Sequence, residues 1–229
     1  DVCASDLFDA ASTKQLTYGG ITEGTGGTLA KARTGTWILT GANTYTGATS
    51  ITAGVLSARN ATALGTTAGG VTVSSGAALE LQGGITIGAE ALSITGTGVS
   101  SNGALRNISG TNTYGGTVTL AGATTIGVAN GTTLTLSGAV NGGNALTVAG
   151  GTGTINFTGT VGGTPLPNVT VTAATIPLAA VTTTRSPRMI GLPNPRPGRG
   201  TFQAIVFLLS SVGNFSLPAI EPFPFGPRN

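Results

Sequence analysis

The chain has 229 residues, enough to bury a core in one domain, yet only 7% of them are charged, against about 25% in an average soluble domain. A net charge of +3 and a hydrophobic share of 39% exclude a typical disordered chain, and the 39 glycines lack the three-residue period of collagen. This composition, rich in Gly, Thr and aliphatic residues, indicates strands and turns.

The basic residues are too scattered to predict a nucleic-acid partner, although the isoelectric point is near 9.5. Half of them lie in the last part of the chain, at Arg185, Arg188, Arg196, Arg199 and Arg228. A nucleic-acid binder would show a basic stripe with aromatic residues between the charges. We also expect no membrane span, because the most apolar run, 202–209, is far shorter than the ~20 residues that a spanning helix needs.

Residues 1–16 form a first region, which we interpret as an N-terminal cap or an incomplete coil. Ser5 is a suitable helix N-cap, and Leu7 and Phe8 could make apolar contacts. The single cysteine, Cys3, cannot form an internal disulfide, which fits a secreted repeat protein without disulfide bonds. No apolar signal segment precedes Cys3, so we interpret it as an incidental thiol rather than a lipid attachment site.

Residues 17–183 form the body, in which short runs with alternating Thr and aliphatic residues recur and end at Gly, Asn or Ala-Gly. The alternation predicts strands with one wet and one dry face. The strands are very short, the turns contain much Gly, and two-residue hairpin turns are scarce. The body also repeats itself, which favours a stacked solenoid over a sandwich or a barrel.

The repeat is clearest in two pieces, 35–47 and 103–116, each with a strand, then Ser/Thr-Gly-x-Asn-Thr-Tyr, then Gly. Tyr45 and Tyr114 are 69 positions apart (114 − 45 = 69), which is about three coils at ~20 to 25 residues per coil. The sequence therefore predicts an all-β, right-handed parallel β-helix of about seven coils, roughly 35 Å long.

The stretch 35–56, GTWILTGANTYTGATSITAGVL, closely resembles the autotransporter-associated β-strand repeat, also called the passenger-associated transport repeat. Residues 26–31 resemble the lead-in of that family, and the second copy lacks the tryptophan. The resemblance implies a β-helical passenger that is exported across a Gram-negative outer membrane and then displayed or released. In that family the repeat is associated with transport and folding of the passenger, and it does not itself imply an enzyme.

The motif residues are expected to be structural rather than ligand-binding. Trp37, Leu39 and Ile51 should point into a narrow core. The first copy of the motif comprises Gly35, Trp37, Leu39, Gly41, Asn43, Tyr45, Gly47, Ile51 and Gly54. The second comprises Gly110, Asn112, Tyr114 and Gly116.

The glycines and polar residues of the motif should shape the corners. Gly41, Gly47 and Gly54 would permit positive φ or a close approach of two backbones. Asn43 would bond its own backbone in an Asx-turn or stack on an asparagine one coil away. We expect Tyr45 to lie along the coil surface with its hydroxyl in water.

Residues 184–229 differ sharply from the body and contain eight of the eleven prolines. Proline at this density opposes sheet stacking. Three interpretations remain open. The region is a linker, a cap with the run 202–209 laid across the last coil, or a non-native segment such as a shifted reading frame.

The residues of common catalytic and metal sites are mostly missing, so we predict no catalytic, cofactor-binding or metal-binding residue. The chain has no histidine, and no base is visible beside Cys3. A carbohydrate-cleaving β-helix would need clustered carboxylates, and the body offers Glu23, Glu80 and Glu90. Glu80 and Glu90 could approach each other on neighbouring strands, but we favour two solvated surface carboxylates.

A binding surface is the second hypothesis, because Thr-x-Thr recurs in the body. A flat ladder of such pairs could bind ice or a repetitive polymer, although their irregular spacing weakens the idea and Thr is also a common soluble β-former. The pairs are Thr44 and Thr46, Thr117 and Thr119, Thr133 and Thr135, and Thr170 and Thr172.

Together these patterns predict a structural stalk or display segment of a secreted or cell-surface protein. Its expected partners are neighbouring coils or domains of a longer chain, and further copies that associate through the solenoid ends. An adhesive ligand on a host or environmental surface is a further expectation.

Overall fold

The computed structural model describes residues 15–20, 26–164 and 166–172. The chain divides into two units, residues 1–190 and residues 191–229, and every described residue belongs to the first. The predicted region 184–229 lies outside the described residues, and so does all but the end of region 1–16.

The described part is built almost entirely of short strands. Its one helical element is a 3₁₀ turn at Val99–Ser101. The strands are β1 (Gln15–Tyr18), β2 (Leu29–Lys31), β3 (Thr36–Leu39), β4 (Thr49–Ile51), β5 (Gly54–Ala58), β6 (Val71–Val73), β7 (Ala77–Gln82), β8 (Thr86–Ile87), β9 (Leu92–Gly96), β10 (Leu105–Ser109), β11 (Thr111–Tyr114), β12 (Val118–Val128), β13 (Thr133–Leu136), β14 (Val140–Asn141), β15 (Leu146–Ala149), β16 (Thr154–Phe157) and β17 (Val169–Thr172).

The strands form three parallel faces stacked along one axis. Face 1 contains β2, β4, β6, β9, the first part of β12, and β14. Face 2 contains β1, β3, β5, β7, β10, the last part of β12, β15 and β17. Face 3 contains β8, β11, β13 and β16. A coil is one passage through the three faces in this order.

The spacing of paired residues gives the length of a coil. Leu56 pairs with Trp37, and Thr124 pairs with Gly96, so one coil takes 19 to 28 residues (56 − 37 = 19 and 124 − 96 = 28). The longest coil contains the 3₁₀ turn, which is bracketed by a bridge between Gly98 and Gly103. An insertion between two faces therefore lengthens a coil without changing the stacking on either side.

The core is a set of columns in which inward side chains from successive coils lie on one another. On face 2 the column runs through Trp37, Leu56, Leu79, Leu105 and Ile126, all buried. Because side chains alternate along a strand, the residues between them point outward. Burial of these columns and the continuous backbone ladders hold the coils together.

The predicted fold class, an all-β parallel solenoid with about three strands per coil, is confirmed, with about six coils rather than about seven. The ends of the predicted body, including residues 173–183, lie outside the described residues. The right-handed sense stays a prediction, which rests on the general handedness of parallel crossovers.

Candidate functional site: the repeat motif and the outer faces

Lys31 ends β2 and is buried at the corner between faces 1 and 2. Its ammonium donates hydrogen bonds to three carbonyl oxygens, those of Ala32 at 3.2 Å, Arg33 at 2.6 Å and Ala53 at 3.0 Å. It also lies 5.5 Å from the centroid of the Trp37 ring, within cation–π range. Burial lowers the pKa of Lys31 to about 8.

The same corner explains Gly54, which has a φ of 69°. A Cβ there would lie 2.4 Å from the carbonyl oxygens of Arg33 and Gly35 and 2.8 Å from the Lys31 ammonium nitrogen. The Gly35 carbonyl in turn accepts the Val55 N–H at 3.1 Å. Sequence reasoning singled out Gly54 but missed Lys31. The available signal was its place on the dry side of an alternating strand.

Gly41 and Gly47 are needed for close backbone approach, and neither has a positive φ. A Cβ on Gly41 would overlap the Gly19 carbonyl oxygen at 1.5 Å, and one on Gly47 would lie 2.5 Å from the Gly27 carbonyl oxygen. At the equivalent corner Gly116 would bring a Cβ to 1.7 Å from the Glu90 carbonyl oxygen.

Glycines recur in successive coils at the corner between faces 3 and 1. Each faces the residue one coil earlier so closely that a Cβ would meet its carbonyl group, and the pairing of Val71 with Leu92 places Glu90 in line with this column. The column comprises Gly47, Gly69, Glu90, Gly116, Gly138 and Gly159. The glycine that precedes most face 1 strands therefore reflects a requirement of stacking, with Glu90 as the exception before β9.

Asn43 is buried, and its amide donates a hydrogen bond to the Ala63 carbonyl oxygen, one coil further on. This bond joins Asn43 to the backbone of the next coil, a contact that the sequence analysis did not predict. An asparagine pair does occur in the second copy, but within one coil, where Asn112 donates to the side-chain oxygen of Asn107. Asn112 also donates to the Ser109 carbonyl oxygen at 2.7 Å and accepts the Ile85 N–H at 2.6 Å.

The expectation that the Tyr45 hydroxyl lies in water is wrong. The residue is only 1% exposed, and its hydroxyl shares a hydrogen bond of 2.7 Å with the Thr49 hydroxyl. Room for the ring comes from Gly65 in the next coil, where a Cβ would lie 2.7 Å from the ring edge. Burial raises the pKa of Tyr45 to about 12.

Tyr114 occupies the corresponding place three coils later and is also fully buried. Thr49 is four residues after Tyr45, but the residue four after Tyr114 is Val118, in the same face 1 column. The Tyr114 hydroxyl consequently has no hydrogen-bond partner within the described part of the chain. Burial, with a smaller contribution from the charge of Glu90, raises the pKa of Tyr114.

The interpretation of Glu80 and Glu90 as two solvated carboxylates is wrong for Glu90, which is buried at its crowded corner. Burial raises its pKa, and the Gly70 N–H donates a hydrogen bond to it. Glu80 is half-buried on β7 and pairs with the Arg106 guanidinium at 3.0 Å. The two acids thus have separate partners, and among the described residues no group of three or more His, Cys, Asp or Glu is placed to hold a metal ion.

The predicted threonine ladder is not formed by the four pairs named above. Thr119 lies on face 1, Thr133 on face 3 and Thr170 on face 2. Face 3 nevertheless carries a different ladder, whose residues are in register on its outer side. One column is Thr111, Thr133 and Thr154, and the other is Thr86, Thr113, Thr135 and Asn156.

Residues 31–58 match the family model of the passenger-associated transport repeat. The matched segment runs from the last residue of β2 to the last residue of β5, so it covers slightly more than one coil and includes all nine motif residues of the first copy. The resemblance read from the sequence is confirmed.

A curated relative, the adhesin BmaC autotransporter of Brucella suis biovar 1 (strain 1330), is 36% identical over 140 residues. The alignment covers 61% of this chain, and the chain spans about 4% of the length of that relative. No solved structure matches the chain. In the part of the chain that the structure describes, no helix has the length and apolar character to cross a membrane.

Proposed function

We propose that this chain is a structural passenger segment of a secreted or surface-displayed, autotransporter-like protein of a Gram-negative bacterium. Its solenoid would extend or display other parts of that protein and help the passenger to fold during export. The observation that carries the proposal is that the transport repeat coincides with one coil whose motif residues are used for stacking. Lys31, Gly54 and Tyr45 each contact a neighbouring coil or corner rather than an open cleft.

The parallel ladder gives this function a physical basis. Each finished coil offers the next one a row of backbone partners in register, so folding can propagate along the chain as it emerges. The column of close glycines admits only a coil that approaches at the same short distance. The energy released by stacking would then favour outward movement of the passenger. A stalk of this kind is not an enzyme, and the name of the relative, an adhesin, supports that assignment.

The partners of such a segment would be other coils. β17 pairs with β15 on one side, and Val169 and Val171 are both 42% exposed. An exposed strand of this kind can pair with further coils of a longer chain or with a second copy. We therefore propose neighbouring coils and end-to-end self-association as the partners, with an environmental surface as the ligand of the whole protein.

The test is to place the chain between an epitope tag and a translocator barrel and to measure surface display of the tag. Removing residues 71–91 deletes one coil and brings Leu92 to the place of its register partner Val71. Removing residues 71–81 deletes about half a coil, so that inward side chains after the deletion no longer stack on those before it. We expect display to survive the first deletion and to fail with the second, and equal display of the two variants would contradict the proposal.

A second function is favoured by the threonine ladder of face 3. We propose that an ordered repetitive surface, ice or a polymer, would bind there through the aligned hydroxyl and methyl groups of Thr113 and Thr135. Replacing Thr135 with Lys should abolish ice shaping or polymer binding, whereas Thr119→Lys on face 1 should not. If the unsubstituted chain neither shapes ice nor binds polymer, this second function is excluded.

A further inference from the structure

The outer side of face 2 is buried across β3, β5 and the start of β7, although a solenoid face normally meets water. Ile38, Val55, Ser57 and Ala78 are 3%, 8%, 1% and 2% exposed, yet none of them belongs to the core cluster. They alternate with the inward residues of β3, β5 and β7, and the register pairs Ile38 with Ser57 and Val55 with Ala78. The four residues form one continuous patch, which we call the covered patch.

No described strand covers this patch, because all seventeen lie within the three faces themselves. The outward residues of face 1 show what an uncovered side looks like, since Thr72 and Thr119 are exposed. The patch also contains the hydroxyl of Ser57, which is buried and lacks a hydrogen-bond partner among the described residues. A buried hydroxyl and three apolar side chains outside the core require a segment that packs on them.

We propose that residues 1–14 of this chain pack over the covered patch. They lead directly into β1, the first strand of face 2, which pairs with β3 through Gln15 and Thr36. Fourteen residues can span several strands at 4.8 Å per strand, so their reach suffices. This position differs from an end cap, which would lie across the first coil.

The composition of residues 1–14 matches the patch and its rim. Leu7 and Phe8 supply apolar side chains, and three acids accompany them, Asp1, Asp6 and Asp9. Two exposed arginines flank the patch, with Arg33 before β3 and Arg59 after β5, and the charge of Arg59 reaches Glu80 on the same face. Residues 173–184, which follow β17, carry no charged side chain, and the five arginines lie beyond them, so this region offers no run of acids to match Arg33 and Arg59.

The cover would limit which surfaces are available for binding. Where residues 1–14 lie over the covered patch, only faces 1 and 3 of those coils remain open to solvent. The cover would also keep the apolar outward residues of the patch from associating with other copies of the chain. Other proteins cover exposed sheet edges for the same reason. This inference is independent of the stalk function, because it holds whether or not the chain is exported.

The test measures the reactivity of a single thiol in the full-length chain. Cys3 is the only cysteine, so Cys3→Ser with Ser57→Cys leaves one thiol in the covered patch. We expect slow reaction with a thiol reagent, and a rise of about tenfold when Leu7→Asp and Phe8→Asp weaken the cover. The matched substitutions Val206→Asp and Phe207→Asp should leave the rate unchanged.

Two further thiols make the result decisive. Ala58→Cys faces the core and should stay unreactive in every variant, which shows that the solenoid has not unfolded. Thr72→Cys on face 1 should react fast in every variant. The proposal is overturned if the reaction rate of the Ser57→Cys thiol is unaffected by the changes at Leu7 and Phe8, or if the rate responds instead to the changes at 206 and 207. It is also overturned if dilution alone raises the rate, which would indicate that a second copy covers the patch.

Discussion

The two copies of the repeat fill the same places three coils apart but satisfy their polar groups differently. The first copy pairs the Tyr45 hydroxyl with Thr49, whereas the second buries Tyr114 beside Val118 without a partner in the described part. The comparison teaches that stacking fixes shape more strictly than it fixes hydrogen bonds. The burial of the inward side chains and most of the close glycines are retained, while polar partners change from coil to coil.

The largest effect should come from the glycines, because their neighbours are backbone atoms that cannot move aside. A Cβ on Gly116 would lie 1.7 Å from the Glu90 carbonyl oxygen, and one on Gly47 would lie 2.5 Å from that of Gly27. We expect Gly116→Ala to lower the free energy of unfolding by about 3 kcal/mol or more, and Gly47→Ala to lower it by less. Urea denaturation measures both.

The control for these substitutions is Gly88→Ala, whose Cβ would meet its nearest neighbour at 3.7 Å, an ordinary contact. We expect almost no change in stability for this variant. Equal losses at Gly88 and Gly116 would show that close approach does not explain the effect, since the restriction of the unfolded chain by alanine would add stability at both positions.

The asparagines should show the next largest difference between the copies. Asn112→Ala would remove the hydrogen bonds to the Ile85 N–H and to the side-chain oxygen of Asn107, so we expect a loss of about 3 kcal/mol in the free energy of unfolding. Asn43→Ala removes the bond to the Ala63 carbonyl oxygen and should cost about half as much. Denaturation of both variants under the same conditions measures the difference. A larger loss of unfolding free energy for Asn43→Ala than for Asn112→Ala would contradict the prediction.

The tyrosines give the sharpest test of the difference in polar partners. Tyr45→Phe strands the buried Thr49 hydroxyl and should cost about 1 kcal/mol, whereas Tyr114→Phe removes an unpaired hydroxyl and should be neutral or stabilising. Val118→Thr would supply the missing partner. In that background Tyr114→Phe should become destabilising, and a double-mutant cycle that shows no coupling would contradict this explanation.

The smallest expected effect is a change of stability with pH, which arises from Lys31. Its pKa in the folded chain is about 8, below the ordinary value of 10.5, so the unfolded chain binds more protons between these values. The free energy of unfolding should therefore rise from about pH 8 to about pH 10. Above pH 10 it should fall, because the pKa of Tyr45 is raised to about 12.

Lys31→Met should remove the rise in the free energy of unfolding between pH 8 and 10. It should keep the fall above pH 10, since it leaves Tyr45 unchanged. Thermal or urea unfolding at closely spaced pH values would reveal both parts. A profile of the wild-type chain that is flat or falling between pH 8 and 10 would show that the Lys31 ammonium is not desolvated at this corner.

Much of the fold could be predicted from the sequence, because period-2 alternation and glycine punctuation are local signals. The inward positions of Trp37 and Leu39 follow from that alternation. The burial of Tyr45 could not be predicted in this way, since it depends on the space left by Gly65 one coil later. The burial of Glu90 depends likewise on neighbouring coils, so its sequence context, a polar residue beside a corner, resembles a solvated surface. Lys31 differs, because the alternation along β2 places it on the inward side.

The threonine ladder shows the same limit for the candidate binding surface. Its register is set by coil lengths that vary between 19 and 28 residues, so spacing in the sequence does not reveal which threonines align. Thr133 and Thr135 were predicted as one pair, but their neighbours in the ladder were not.

The central claim is that the two copies of the repeat occupy equivalent places in one parallel solenoid. The most direct measurement is a crystal structure of the full-length chain. The account predicts three parallel faces, Tyr45 bonded to Thr49, and Tyr114 buried beside Val118 three coils later. An antiparallel sandwich or barrel, or a solenoid in which either tyrosine ring points into solvent, would contradict it.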